Sequence, residues 1–179
     1  MVLMSRLSLL FLFACAPKKP VVGAASPILV DLALVASPMA GEPVDAPVAL
    51  AAGISALLTE RNLLPTLVSA SEWAAVFAGR RLPDQRAAWL AERPGHAPTV
   101  LLVALEPRYF GFVNGRYRWS VTVELVLRDL GRPDHTVTDR FEVPALLTWD
   151  HEREDAAIDA ASVVIRERIS NRVDDWLGG

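Results

Sequence analysis

The side chains able to do chemistry in this chain are few and scattered. Histidines occur at His96, His135 and His151, which the surrounding pattern reads as a loop, a strand start and a helix start. No two share a metal-ligand spacing, and the expectation is solvent-exposed polar residues. Asp150, His151, Glu152, Glu154, Asp155 and Asp159 form an acidic run that could draw a divalent cation. Calcium loops need a glycine-centred turn with oxygen ligands at fixed alternate positions, whereas this run suits a helix start, where carboxylates complement the dipole. No serine lies in a nucleophile elbow, no glycine-rich phosphate loop follows a strand, and no His-Glu-x-x-His pair occurs. The expectation is a chain that is not an enzyme and has no catalytic residues, metal or cofactor. A periplasmic hydrolase or ligand-binding module is the alternative.

One cluster has the composition of a recognition surface. Tyr109, Phe110, Phe112, Tyr117 and Trp119 are interleaved with Arg108, Arg116 and Arg118 around Asn114-Gly115. Asn-Gly is a strong hairpin signal because both residues accept the positive φ of a type I′ turn. A two-residue loop sets Val113 opposite Arg116 and Tyr109 near Ser120. Aromatic and arginine side chains dominate protein-interface hot spots. The candidate partner-binding set is therefore Tyr109, Phe110, Phe112, Arg116 and Arg118, with core packing and cross-strand pairing as the competing use of the same rings.

Covalent chemistry has one candidate, Cys15, the sole cysteine. Before it, residues 1–14 place Arg6 ahead of an apolar run from Leu7 to Ala14. A membrane-crossing helix needs about 20 apolar residues, so this run reads as a secretory address. Leu12-Phe13-Ala14-Cys15 resembles the bacterial lipobox, in which a small residue precedes the cysteine that is lipidated; Phe13 departs from the small or β-branched residue usual there. An ordinary secretory peptide with an incidental cysteine, or a buried amino-terminal helix, are the other readings. A single thiol cannot form an internal disulfide, so the domain must be held by its core. The net charge of −3 gives no basic face for nucleic acid. Lys18 and Lys19 could touch anionic head groups, at about 1 kcal/mol each.

These features need elements to position them. Residues 15–27, rich in proline, lysine and small residues, read as the lipidated cysteine and a tether, and residues 28–179 as one domain. About 150 residues suffice for a single core. Ile28–Ala36 reads as a strand, Ser37–Asp45 as a loop, Ala46–Arg61 as a helix through Leu50, Ile54, Leu57 and Leu58, and Leu63–Val68 as a short strand. Ser69 with Glu72 is a capping box, opening two helical pieces that extend to Arg93. Thr99–Leu105 is continuously apolar, as in a strand covered on both faces. Tyr117, Trp119, Val121, Val123, Leu125 and Leu127 alternate with polar residues in the returning strand. A turn at Asp129–Pro133 leads to the strand Thr136–Leu146. Asp150 caps a final helix, His151–Leu177, with an apolar stripe from Ile158 to Trp176 and Arg166, Arg168 and Arg172 late, as the dipole favours. The expected class is α+β: one domain with a mixed, mostly antiparallel sheet and helices packed on one face, in the order β-α-β-α-β-β-β-α.

The segments LLTERNLLPTLVSASEWAAV, TVLLVAL and VELVLRDLGR in this order resemble a family of bacterial envelope domains. It includes the curli-secretion channel lipoprotein, the amino-terminal domain of the TolB translocation protein and lipoprotein activators of penicillin-binding proteins. In the third segment, Asp129 and Gly131 match the family's aspartate and turn glycine. Ala104 stands where the family often has glycine, the turn after Asp129 is short, and no pair of long strand insertions is present to line a pore. The resemblance covers residues 28–177. It implies a non-catalytic envelope lipoprotein acting as an assembly, scaffold or regulatory factor. Its partners would be the membrane, through the lipid, and an envelope protein or further copies of itself. A resemblance to the lipopolysaccharide-assembly lipoprotein gives the alternative of a lipopolysaccharide-transport accessory. Ala16, in place of an aspartate that retains many such lipoproteins on the inner membrane, points to the outer membrane, facing the periplasm.

Overall fold

Strand-forming runs account for most of the architecture, seen in a computed structural model that describes residues 26–39, 42–69, 72, 85–86, 88, 92, 95–148 and 153–179. The expected signal segment, Cys15, most of the expected tether, most of the stretch between Ser69 and Arg93 expected to form two helical pieces, and Asp150 to Glu152 lie outside the described residues. The elements are β1 (Ile28–Ala36), β2 (Val44–Asp45), α1 (Val48–Glu60), β3 (Leu63–Leu67), β4 (Thr99–Val113), β5 (Arg116–Asp129), β6 (Thr136–Leu147) and α2 (Glu154–Gly178). They form an α+β domain whose six-stranded sheet has the order β2-β1-β4-β5-β6, with β3 also on β1. Two strand pairings on β1 are parallel, with β3 and β4; the other three are antiparallel.

The apolar run of β1 is buried from Val30 to Ala36 because it carries two cores at once. Val30, Leu32 and Leu34 face α1 and α2, while Ala33 and Val35 join Val100, Leu102 and Val126 on the opposite face. Asp31 breaks the run and is nonetheless buried; its Oδ2 accepts the Ala97 N–H at 3.0 Å. That bond secures the chain just before β4. The expected loop 37–45 ends in β2, whose Val44 pairs with Ala36. Ala46 N–H donates to Leu34 O in the same register, and Pro47, which has no N–H to add to the ladder, then ends the pairing and caps α1.

Helix α1 buries Leu50, Ile54 and Leu58, the expected stripe at helical spacing. Asn62, at φ 60, then reverses the chain into β3, a left-handed conformation that asparagine tolerates. Arg61 ties the two helices together, its Nε and Nη2 on the two oxygens of Asp174 at 2.7 and 2.9 Å and Nη2 also on Ser170 Oγ at 2.6 Å.

Helix α2 starts at Glu154, later than the expected His151, and buries Ile158, Ala161, Ile165, Ile169, Val173 and Trp176 as expected. Its arginines do not serve the dipole: no basic residue lies in the last turn. Arg168 and Arg172 instead donate to Asp139 of β6, at 2.9 and 2.8 Å. Burial opposes ionisation of Asp139, but the two guanidinium bonds outweigh it and hold the carboxyl below its usual range.

The sheet lengthens past β1. Register with β1 ends at Leu105, whose carbonyl accepts Ser37 N–H. Two residues on, Pro107 has no N–H to offer on that side, so strand pairing cannot continue. From Glu106 to Val113, β4 pairs only with β5 and becomes one edge of a three-stranded arm with β5 and β6. At about 3.3 Å per residue, the eight residues reach about 26 Å beyond Leu105.

Candidate protein interface at the hairpin arm

Asn114 and Gly115 have φ values of 53 and 77, the type I′ turn expected from the sequence, and Val113 pairs with Arg116. Tyr109 does not lie opposite Ser120. A bulge between Tyr109 and Gly111 shifts the register so that Tyr109 pairs with Trp119 and Arg108 with Ser120. Gly111 adopts φ 136 at this irregularity, a value open to glycine because it has no Cβ.

The bulge sorts the arm into two faces. Tyr109, Phe112, Tyr117 and Trp119 share one, with ring centroids 5.3 Å apart for Tyr109–Trp119, 6.5 Å for Tyr109–Tyr117 and 4.8 Å for Phe112–Tyr117. Without the extra residue, Tyr109 would alternate onto the other face. That other face presents Arg108, Val113, Arg116, Arg118 and, from β6, Leu146 opposite Arg118. The candidate arginines therefore share the arm with the aromatic rings but lie behind them.

Burial falls steeply toward the tip. Trp119 is 3% exposed and belongs to the core, whereas Tyr109 is 37%, Phe112 58% and Phe110, the bulged residue, 63% exposed. The indole Nε1 of Trp119 is buried without a hydrogen-bond partner among the described residues. Beside the open edge of β4, a depression of about 460 Å³ is lined by residues 37–39 and by residues 106–110 of β4, the charged Glu106 and Arg108 among them. The sequence pattern missed Val113 and Leu146, which are 51% and 56% exposed. Leu146 was legible in principle: Thr138, Arg140, Glu142 and Pro144 share its outward phase.

The polar candidates have structural uses. His135 Nε2 lies 2.9 Å from Trp176 O, and its ring stacks on the Trp176 ring at 4.7 Å. A carbonyl only accepts, so Nε2 carries the proton and Nδ1 accepts from Arg132 Nη2 at 3.3 Å. Trp176 Nε1 in turn donates to His135 O at 3.2 Å. His135 is thus part of a clasp on the end of α2 rather than a solvated polar residue. His96 Nδ1 lies 3.0 Å from Ala97 O, and His151 is outside the described residues. Asp155 of the acidic run pairs with Arg153 at 2.7 Å. Among the described residues no group of three His, Cys, Asp or Glu side chains is placed to hold a metal. No described helix is long and apolar enough to cross a membrane.

No protein-family model matches the chain, and no curated protein matches it. Among solved structures it is similar to the PelC dodecamer from Paraburkholderia phytofirmans, at 17% identity over 82% of this chain and 89% of that one, with a TM-score of 0.38. It is also similar to lipoprotein GNA1162 from Neisseria meningitidis, at 14% identity over 82% and 99%, TM-score 0.42. A third likeness is to rare lipoprotein B from Shewanella oneidensis, at 14% identity over 84% and 91%, TM-score 0.33.

Proposed function

We propose that this protein is a non-catalytic lipoprotein of the bacterial envelope, tethered through Cys15, that offers its β4–β5 arm to a protein partner as a scaffold, assembly or regulatory factor. The observation that carries the reading is the exposure of Tyr109, Phe110 and Phe112 at the end of a braced arm. Exposed aromatic rings held by a sheet lose little side-chain freedom on binding, which is what makes such groups efficient anchors. The arginine face behind them gives the partner a charge requirement, an acidic rim. Support for the anchor is the coincidence of an export-type leader, the small residue Ala14 and the sole cysteine; Ala16 supports the outer membrane, with the domain in the periplasm.

The arm is also placed for reach. Residue 28, where the tether ends, lies at the end of the sheet opposite the arm tip, because β1 runs parallel to β4. The test is site-specific photocrosslinking from position 110 in the membrane-bound full chain. A discrete protein adduct that is absent from a probe at Thr59 on α1 is expected. Adducts to lipid alone, or equal adducts from both positions, would refute the reading.

A further inference from the structure

We propose that β6 pairs antiparallel with β6 of a second copy, in the one register centred on Phe141, so that two sheets join across a two-fold axis. Strand β6 ends the sheet, and no described strand pairs with its outer edge. Which backbone groups point outward follows from two observations. The type I′ turn makes Val113–Arg116 a hydrogen-bonded pair, so Tyr117, Trp119 and the odd positions after them turn their backbone groups to β6. At the other end Asp129 N–H donates to His135 O, which gives the same parity. Thr136, Thr138, Arg140, Glu142, Pro144 and Leu146 therefore direct their backbone groups to the open edge, and the missing N–H of Pro144 is on that side, where proline is tolerated.

An antiparallel partner must match these outward positions with outward positions, and this leaves few symmetric registers. Centring on Arg140 or Glu142 sets that charge against its own copy. Centring on Asp139 opposes two carboxylates, and centring on Val143 leaves Arg140 and Glu142 opposite uncharged residues. Centring on Phe141 alone puts Arg140 of each copy opposite Glu142 of the other, twice. Directly opposed charges of opposite sign stabilise an antiparallel pair, and like charges destabilise it. Phe141 then faces Phe141, and Thr138 donates to the Pro144 carbonyl. Arg140 and Glu142 are both exposed; Arg140 also reaches Glu124 at 3.5 Å from the same side.

Helix α2 supplies a flank for the same contact. Arg168 lies over the Phe141 ring at 5.5 Å, and Val164, one turn earlier on that side of the helix, is 49% exposed. The two-fold would bring a second Val164 and Arg168 alongside. In such a dimer the strands run in opposite directions, so the arms project from opposite ends.

Sedimentation equilibrium of the full chain in detergent tests the proposal. The natural sequence is expected to dimerise, and Arg140→Glu or Glu142→Arg alone to weaken dimerisation at least about tenfold, since each sets like charges together at two places. The double exchange should restore it. An equimolar mixture of the two single variants should give dimers of mixed composition only, read by native mass spectrometry. Glu142→Arg leaves the Arg140–Glu124 contact in place, so a loss seen with Arg140→Glu alone would mark an intrachain effect and overturn the proposal. A monomeric natural sequence, an unaffected Glu142→Arg variant or a failed double exchange would overturn it equally.

Discussion

Phe112→Ala separates an arm built for recognition from an arm that is merely packed. Truncating a fully buried phenylalanine costs about 3–5 kcal/mol, largely from lost burial and the cavity left behind. Phe112 is 58% exposed, so less than half of its surface is withdrawn from water. Its main ring contact is with Tyr117, at 4.8 Å. Scaling that cost by the buried share gives a folding loss of about 1.3–2 kcal/mol, a fall of about 3–8 °C in melting temperature for a domain of this size. Trp119→Ala is the internal standard: that side chain is 3% exposed, and its loss should cost about 3–5 kcal/mol. If Phe112 anchors a partner, its removal should weaken capture by about 30-fold, the equivalent of about 2 kcal/mol. Thermal melting by circular dichroism, run beside titration of the crosslink-identified partner, reads both quantities. A Phe112→Ala protein that melts as low as Trp119→Ala, or that binds within about threefold of the natural sequence, would refute the reasoning.

Cys15→Ser is expected to release the protein from membranes or stall it as precursor, and an unchanged mature mass in the membrane fraction would show that the thiol carries no lipid. His135→Ala should loosen the end of α2, costing about 1–2 kcal/mol through the stacked Trp176 ring and two hydrogen bonds. Hydrogen exchange should then accelerate from Val173 to Gly178 and not near Ile158; uniform protection would contradict the clasp. Asp139→Asn should destabilise the domain near neutral pH, because the folded-state pKa of Asp139 is depressed by Arg168 and Arg172. The stability it contributes is present above the unfolded carboxylate range, near 4, and is lost as pH falls through the lower folded value. The gap between mutant and natural midpoints in urea should therefore close on acidification below pH 4, and a gap that stays constant with pH would exclude the charge as its cause.

Element type and order were legible wherever one physical signal dominated. The β1 run, the helical spacing of Leu50, Ile54 and Leu58, the alternation after Tyr117 and the Asn114-Gly115 turn all identify themselves from local pattern, and the sheet follows by short connections. What the pattern could not carry was register after an inserted residue. Phe110-Gly111 reads as ordinary strand, and only the pairing of Tyr109 with Trp119 and of Gly111 with Arg118 reveals Phe110 as the extra residue. Charge order along α2 misled for a related reason: Arg168 and Arg172 match a dipole rule, but Asp139, a strand away, offers a stronger partner than a partial charge more than a turn distant. The same holds for His135, whose clasp depends on a tryptophan 41 positions later in the chain.

Two open edges of the sheet, that of β4 beyond Leu105 and that of β6, are treated differently, and the difference bears on what each can bind. Above Leu105 the edge of β4 is interrupted by Pro107 and again by the bulge before Gly111, two devices that prevent another strand from adding along it. Its side chains are left as the adhesive part, and they are aromatic. A partner must therefore meet this edge by fitting rings into its own surface, which discriminates by shape. On β6 the single proline costs one donor near the end, while the centre holds Arg140-Phe141-Glu142, a sequence whose charges are complementary to its own reverse. An exposed edge guarded only by charge remains open to a strand carrying the matching order, and a second copy of this chain carries it. On these proposals the arm would select by side-chain shape and β6 by charge register, and because they lie on separate surfaces, mutations at the arm tip and at positions 140 and 142 should add independently.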